Sequence, residues 1–103
     1  MTWHERIHKA RRRGKFTTRD RIDAKSWFSC ACGEQDKRIP RTIDGWPKDY
    51  GLFVLGGQFF SAVKNDDFDA AEHILAKIEV RAAQLLTAQE SGDDSIASQT
   101  KEQ

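Results

Sequence analysis

Apolar residues recur at helical spacing in four segments of the chain, and short polar stretches separate these segments. Trp3, Ile7 and Ala10 lie at i, i+4 and i+7, and Gly14 follows them. This pattern predicts a first helix over about residues 3–13 that ends at the glycine.

The second segment has a start signal in Thr17 and Asp20, which stand three residues apart as the two partners of a capping box do. The signal predicts a helix over about residues 18–30. Residues 34–46 follow neither the helical nor the strand period and contain the turn-forming pair Asp44-Gly45, so they predict a long connecting loop.

A third helix is expected to start at Pro47, since the N–H that proline lacks would have no partner there, and to run to about Lys64. Within it, Gly56 and Gly57 each cost roughly 1 kcal/mol relative to alanine. The glycine pair indicates either a kink or a place where another helix approaches closely. The apolar residues of this helix are Leu52, Leu55, Phe59, Phe60 and Val63.

The fourth segment has the longest apolar stripe and predicts a helix over about residues 67–89. The turn before it, residues 65–67, is so short that helices three and four should form an antiparallel hairpin. We therefore predict an all-α fold, a small four-helix domain in which two shorter helices pack across a C-terminal antiparallel helical hairpin. The stripe consists of Phe68, Ala71, Ile74, Leu75, Ile78, Ala82, Leu85 and Leu86.

A length of 103 residues fits one domain. We assign residues 1–89 to a single helical domain, and residues 90–103, which are polar apart from Ile96 and two small residues, to a disordered tail. No apolar run reaches the length of a membrane span, and the first residues lack the apolar stretch of a signal peptide. We therefore expect a cytoplasmic protein with no membrane partner.

Charge is divided unevenly along the chain. Up to Lys48 there are 13 Lys and Arg against 6 Asp and Glu, whereas from Asp49 onward there are 4 against 10. This division favours contact with a charged partner, either nucleic acid bound without sequence specificity or an acidic protein surface. The alternative is that the two halves offset one another within the fold. The candidate contact residues are Arg11, Arg12, Arg13, Lys15, Arg19, Arg38 and Arg41.

The segment from His4 to His8 matches H-E-x-x-H, the pattern in which two histidines one helical turn apart bind zinc while the glutamate, here Glu5, activates water. The basic residues between Lys9 and Lys15 disfavour a dication at this place.

A second metal arrangement combines His4 and His8 with Cys30 and Cys32 in a structural zinc site. The C-x-C spacing is tighter than the usual separation of zinc ligands, which counts against it. We therefore expect no cofactor, with zinc as the alternative. Since both cysteines fall near the predicted end of a helix, where the dipole opposes a thiolate, a nucleophilic role is disfavoured.

Two stretches form the pattern R-G-x-F-T followed by W-x-x-C-A-x-G-E, namely residues 13–17 and residues 27–34. Over residues 11–35 the chain thereby resembles small uncharacterised proteins of phages and bacteria. The resemblance implies a phage or bacterial origin, a compact helical domain and a host-interaction or regulatory role. No catalytic residue transfers from it.

The sequence therefore favours a small non-enzymatic binding or regulatory protein, whose basic N-terminal half contacts nucleic acid or an acidic protein surface. The competing interpretation is a zinc protein, either structural through His4, His8, Cys30 and Cys32 or a minimal hydrolase through the H-E-x-x-H segment. A homodimer built through the hairpin is left open.

Overall fold

The computed structural model describes residues 2–26, 30–31 and 39–95, with the side chains of the last range described as far as Ala88. Within this part of the chain there are four helices and no strand, so the predicted all-α fold is confirmed. The helices are α1 (Trp3–Arg13), α2 (Thr18–Lys25), α3 (Tyr50–Lys64) and α4 (Phe68–Ser95).

The first two helices both begin with a capping box. At α2 the Thr17 hydroxyl accepts from the Asp20 N–H at 3.0 Å, and the Asp20 carboxylate accepts from the Thr17 N–H at 3.2 Å, as predicted. Thr2 and Glu5 form the same reciprocal pair at α1. These boxes satisfy N–H groups that the first helical turn would otherwise leave unpaired.

The second helix ends at Lys25 and not near residue 30. Ser26 is extended, with φ −94° and ψ 128°, and its N–H donates to the Asp23 carbonyl oxygen in a tight turn. Serine is a modest helix former because its side chain competes for backbone hydrogen bonds. The early end of the helix allows the chain to bring Cys30 and Ala31 into the core, where both are buried.

The third helix begins at Tyr50, so the prediction that it starts at Pro47 was wrong. Pro47 is buried in the preceding turn, where it forms an isolated antiparallel bridge with Arg41. Asp49 caps the helix, because its carboxylate accepts from the Leu52 N–H at 2.9 Å. A side-chain acceptor at the cap satisfies an N–H group, which proline at the first position cannot do.

A short turn joins α3 to α4, and the two helices form the predicted hairpin. Asp66 takes a left-handed conformation in this turn, with φ 55°, and the Asp67 carboxylate accepts from the Ala70 N–H at 3.1 Å. The fourth helix continues to Ser95, beyond its predicted end near residue 89. The helix therefore includes residues 90–95 of the predicted tail, residues 90–103, and the rest of that tail lies outside the described residues.

The core lies between the hairpin helices α3 and α4, and α2 extends it by packing on α3 and α1 by packing on α4. Trp3 and Phe59 meet edge to face at its centre, with ring centroids 4.9 Å apart, and both rings are fully buried. The other large side chains of the core are Ile7, Phe16, Ile39, Leu52, Val63, Leu75 and Ile78.

Candidate functional site

The H-E-x-x-H segment lies on the first turns of α1, with both histidines exposed. His4 Nε2 lies 2.7 Å from Glu79 Oε2 on α4, so this ring contacts a carboxylate. The Glu5 carboxylate belongs to the capping box of the same helix. Among the described residues no three His, Cys, Asp or Glu side chains form a group that could hold a metal ion.

The cysteine pair and the resembling pattern are described only in part. Cys30 is buried, with 3% of its surface exposed, and it does not join His4 and His8 in a metal-binding group. Cys32 and most of the W-x-x-C-A-x-G-E stretch lie outside the described residues. Cys30 and Ala31 are small residues that pack within the core.

Basic side chains of α1 and α2 pair with acidic side chains at the start of α4 and in the turn before it. Arg11 contacts Asp69 at 2.7 Å and also Glu72. Arg21 forms two hydrogen bonds to the Asp66 carboxylate, at 2.8 and 2.9 Å. We call these contacts, together with that between His4 and Glu79, the charged seam. The uneven division of charge along the sequence is therefore partly used inside the fold.

Two further candidate contact residues pair with carboxylates of α2. Arg13 lies 3.5 Å from Asp20, and Arg19 lies 3.2 Å from Asp23, which also accepts from Arg6 at 2.8 Å.

The remaining candidate cations differ from one another. Arg12 and Lys15 are exposed and have no ion pair among the described residues. Arg41 is partly buried beside its bridge to Pro47. Arg38 lies outside the described residues.

The hydrogen bonds and ion pairs of Asp66 and Asp49 favour the ionised form of each carboxylate. The Phe16 N–H, followed by the Arg21 guanidinium, lowers the pKa of Asp66. The Arg81 guanidinium, 2.6 Å from Asp49, lowers the pKa of that carboxyl in the same way.

An apolar pocket opens between the end of α2, the turn before α3 and the first turns of α3. Its volume is about 210 Å³. We call it the aromatic pocket. Its lining residues are Ala24, Lys25, Cys30, Trp46, Pro47, Leu52, Phe53, Gly56, Gly57 and Phe60.

Aromatic rings form the mouth of the aromatic pocket. Trp46 and Phe53 meet at 5.5 Å between ring centroids, and they expose 40% and 45% of their surface. The Lys25 ammonium lies 5.8 Å from the centre of the Phe60 ring. The pocket thus offers ring faces and one cation to a ligand, which suits an apolar side chain with a negatively charged neighbour.

The glycine pair of α3 lines this pocket. Apart from the backbone of its own helix, a Cβ atom added at Gly57 would have no neighbouring atom within 4 Å. No other helix therefore approaches closely at that position. Of the two alternatives that the sequence left open, a kink and a close approach, the close approach does not occur at Gly57. Because Gly57 has no side chain, this part of the pocket wall is open space.

Sequence reasoning missed the aromatic pocket because its lining residues come from four separate segments of the chain. Trp46 stands in the predicted loop and Phe53 lies outside the apolar stripe assigned to α3. Trp46 and Phe53 were the signal in the sequence that could have indicated the pocket. Large apolar residues outside the apolar face of a helix are candidates for a binding surface.

Comparison of the chain with protein-family models, with curated proteins and with solved structures gave no match. None of the helices within the described residues combines the length and apolarity that crossing a membrane requires.

Proposed function

We propose that the protein is a small non-enzymatic binding protein that takes one apolar side chain of an acidic partner protein into the aromatic pocket. The observation that carries this proposal is the exposure of Trp46 and Phe53 at the mouth of an apolar pocket. Exposed apolar surface with a polar rim is typical of binding sites, and aromatic residues are enriched among those that contribute most to binding.

The neighbourhood of the pocket supports an acidic partner. Lys25 lines the pocket and Lys48 directly follows the lining residue Pro47, and neither has an ion pair among the described residues. Asp49 is neutralised by Arg81, which leaves Asp44 as the unpaired carboxylate of the described turn. We therefore expect a segment that carries an aromatic or long aliphatic side chain flanked by Asp or Glu.

A protein partner is favoured over nucleic acid. Arg11 and Arg21 are neutralised by the carboxylates of Asp69, Glu72 and Asp66 in the charged seam. A phosphate backbone would have to compete with those carboxylates, which reduces the gain from counterion release that drives binding to nucleic acid.

The test is selection of binders from a random peptide library against the full chain. We expect the enriched peptides to share one large apolar residue with acidic neighbours. Phe53→Ser should weaken their binding by about tenfold or more, as truncation of a central aromatic anchor does. Gly57→Leu, which places a side chain in the open space, should abolish it.

The matched control is Val80→Ser, because Val80 is an exposed apolar residue of α4, 58% accessible, and lies outside the pocket. Its affinity should equal that of the parent chain. The proposal is wrong if Phe53→Ser and Val80→Ser bind alike. It is also wrong if DNA or RNA binds at physiological salt and Arg12→Glu alone removes that binding.

A further inference from the structure

Four cationic side chains line a separate pocket at the other end of α2. Its volume is about 280 Å³, and we call it the cationic pocket. No residue lines both this pocket and the aromatic pocket. The lining residues are Arg6, Lys9, Arg13, Thr17, Arg19 and Asp20.

The charges around the cationic pocket do not balance. Arg6, Arg13 and Arg19 pair with two carboxylates, those of Asp20 and Asp23, which are both almost completely buried, and Lys9 pairs with neither. Asp23 accepts from Arg6 at 2.8 Å and contacts Arg19 at 3.2 Å. The buried carboxylates thus fix the positions of the guanidinium groups. The solvent-exposed side of the pocket keeps an excess of positive charge.

Hydrogen-bond donors remain free in this arrangement. A guanidinium carries five N–H donors, and one carboxylate contact engages one or two of them. Lys9 has no ion pair among the described residues. The Thr17 oxygen accepts from the Asp20 N–H, which leaves the hydroxyl proton available to donate.

We infer that the cationic pocket binds a phosphate group, either as free phosphate or as the terminal monoester of a small molecule. A phosphate dianion matches the excess of two positive charges and offers oxygens to several donors at once. Arginine is suited to this role because its planar fork pairs with two oxygens together. The inference does not rest on the proposed function, since it uses a different pocket and a different ligand.

The test is a titration of the full chain with inorganic phosphate and, separately, with glycerol phosphate, followed by the amide signals in heteronuclear NMR spectra. We expect saturable changes centred on Lys9, Arg13 and Thr17 to Asp20. Tighter binding of glycerol phosphate would assign the site to a monoester, and equal binding would assign it to free phosphate.

A pair of charge reversals on α1 separates a built site from diffuse attraction. Lys9→Glu removes a lining cation, whereas Arg12→Glu removes an exposed cation outside the pocket, and neither residue has an ion pair among the described residues. Lys9→Glu should weaken binding by about tenfold, and Arg12→Glu by less than about twofold. Equal losses in the two variants, or changes that never saturate, would overturn the inference. Circular dichroism of both variants checks that they are folded.

Discussion

The charged seam and the aromatic pocket differ in how completely the fold satisfies their side chains. In the seam, Arg11 and Arg21 each meet carboxylates supplied from the other half of the chain. In the pocket, Trp46 and Phe53 contact each other but leave much of their rings in water. The uneven charge along the sequence says little about partners, because ion pairs within the fold already use part of that charge. Apolar surface that folding leaves exposed is the better indicator of binding.

The largest expected effect separates two phenylalanines of α3. Phe59 is fully buried against Trp3, so Phe59→Ala should cost about 4 kcal/mol of unfolding free energy. Phe53 is 45% exposed, and Phe53→Ala should cost less than about 1 kcal/mol. Urea denaturation of the two variants measures both values. Similar losses would mean that the aromatic pocket belongs to the core and is not a surface kept for a partner.

A smaller effect is expected from acid, and it acts on two carboxylates: Asp66 of the charged seam and Asp49 beside Arg81. The pKa values of Asp66 and Asp49 are lowered in the folded chain. The stability that each carboxylate contributes is therefore complete above its unfolded pKa of about 4 and is lost as the pH falls through the lower folded value. Each carboxylate should account for about 1 kcal/mol of unfolding free energy. Urea denaturation curves at pH 6 and at pH 2 measure this loss.

Asp66→Asn sharpens this test, because asparagine tolerates the left-handed conformation with φ 55° found at this position. The variant should be less stable at pH 6 and should lose less stability on acidification than the parent chain. An unchanged acid response in the variant would show that the seam contributes no stability through Asp66.

The smallest effect concerns the open wall of the aromatic pocket. Gly57→Ala should stabilise the chain by about 0.5–1 kcal/mol, because alanine is the better helix former and its Cβ meets nothing within 4 Å. Thermal unfolding measures the gain, and Gly51→Ala is the control. At Gly51 the added Cβ would lie 3.1 Å from the Asp49 carboxylate, so that variant should gain less. A destabilised Gly57→Ala would mean that the glycine serves the fold itself.

Much of the fold could be predicted from the sequence because helical periodicity and capping are local. The start and end of α1, the capping box of α2 and the hairpin all follow from residues within a few positions of one another. The end of α2 and the start of α3 were predicted less well. There Ser26 and Asp49 decided the boundary, and their effect depends on the backbone conformation that they take.

The candidate site was harder to predict because it is made of contacts between distant positions. Nothing near Arg11 in the sequence indicates Asp69, yet that contact decides whether the arginine is free for a partner. In the same way, Lys25 and Phe53 come together only after α2 has packed on α3. Counting charges along the chain could not reveal which of them the fold had already paired.

The contrast in burial between Trp3 and Trp46 gives the protein two optical reporters. Trp3 is 1% exposed in the core, so its emission responds to unfolding, whereas Trp46 is 40% exposed beside the aromatic pocket. A ligand that covers Trp46 should shift its fluorescence to shorter wavelength while the signal of Trp3 stays constant. The chain has a third tryptophan, Trp27, so variants that keep Trp3 alone or Trp46 alone would allow folding and occupancy to be read separately, without an attached dye.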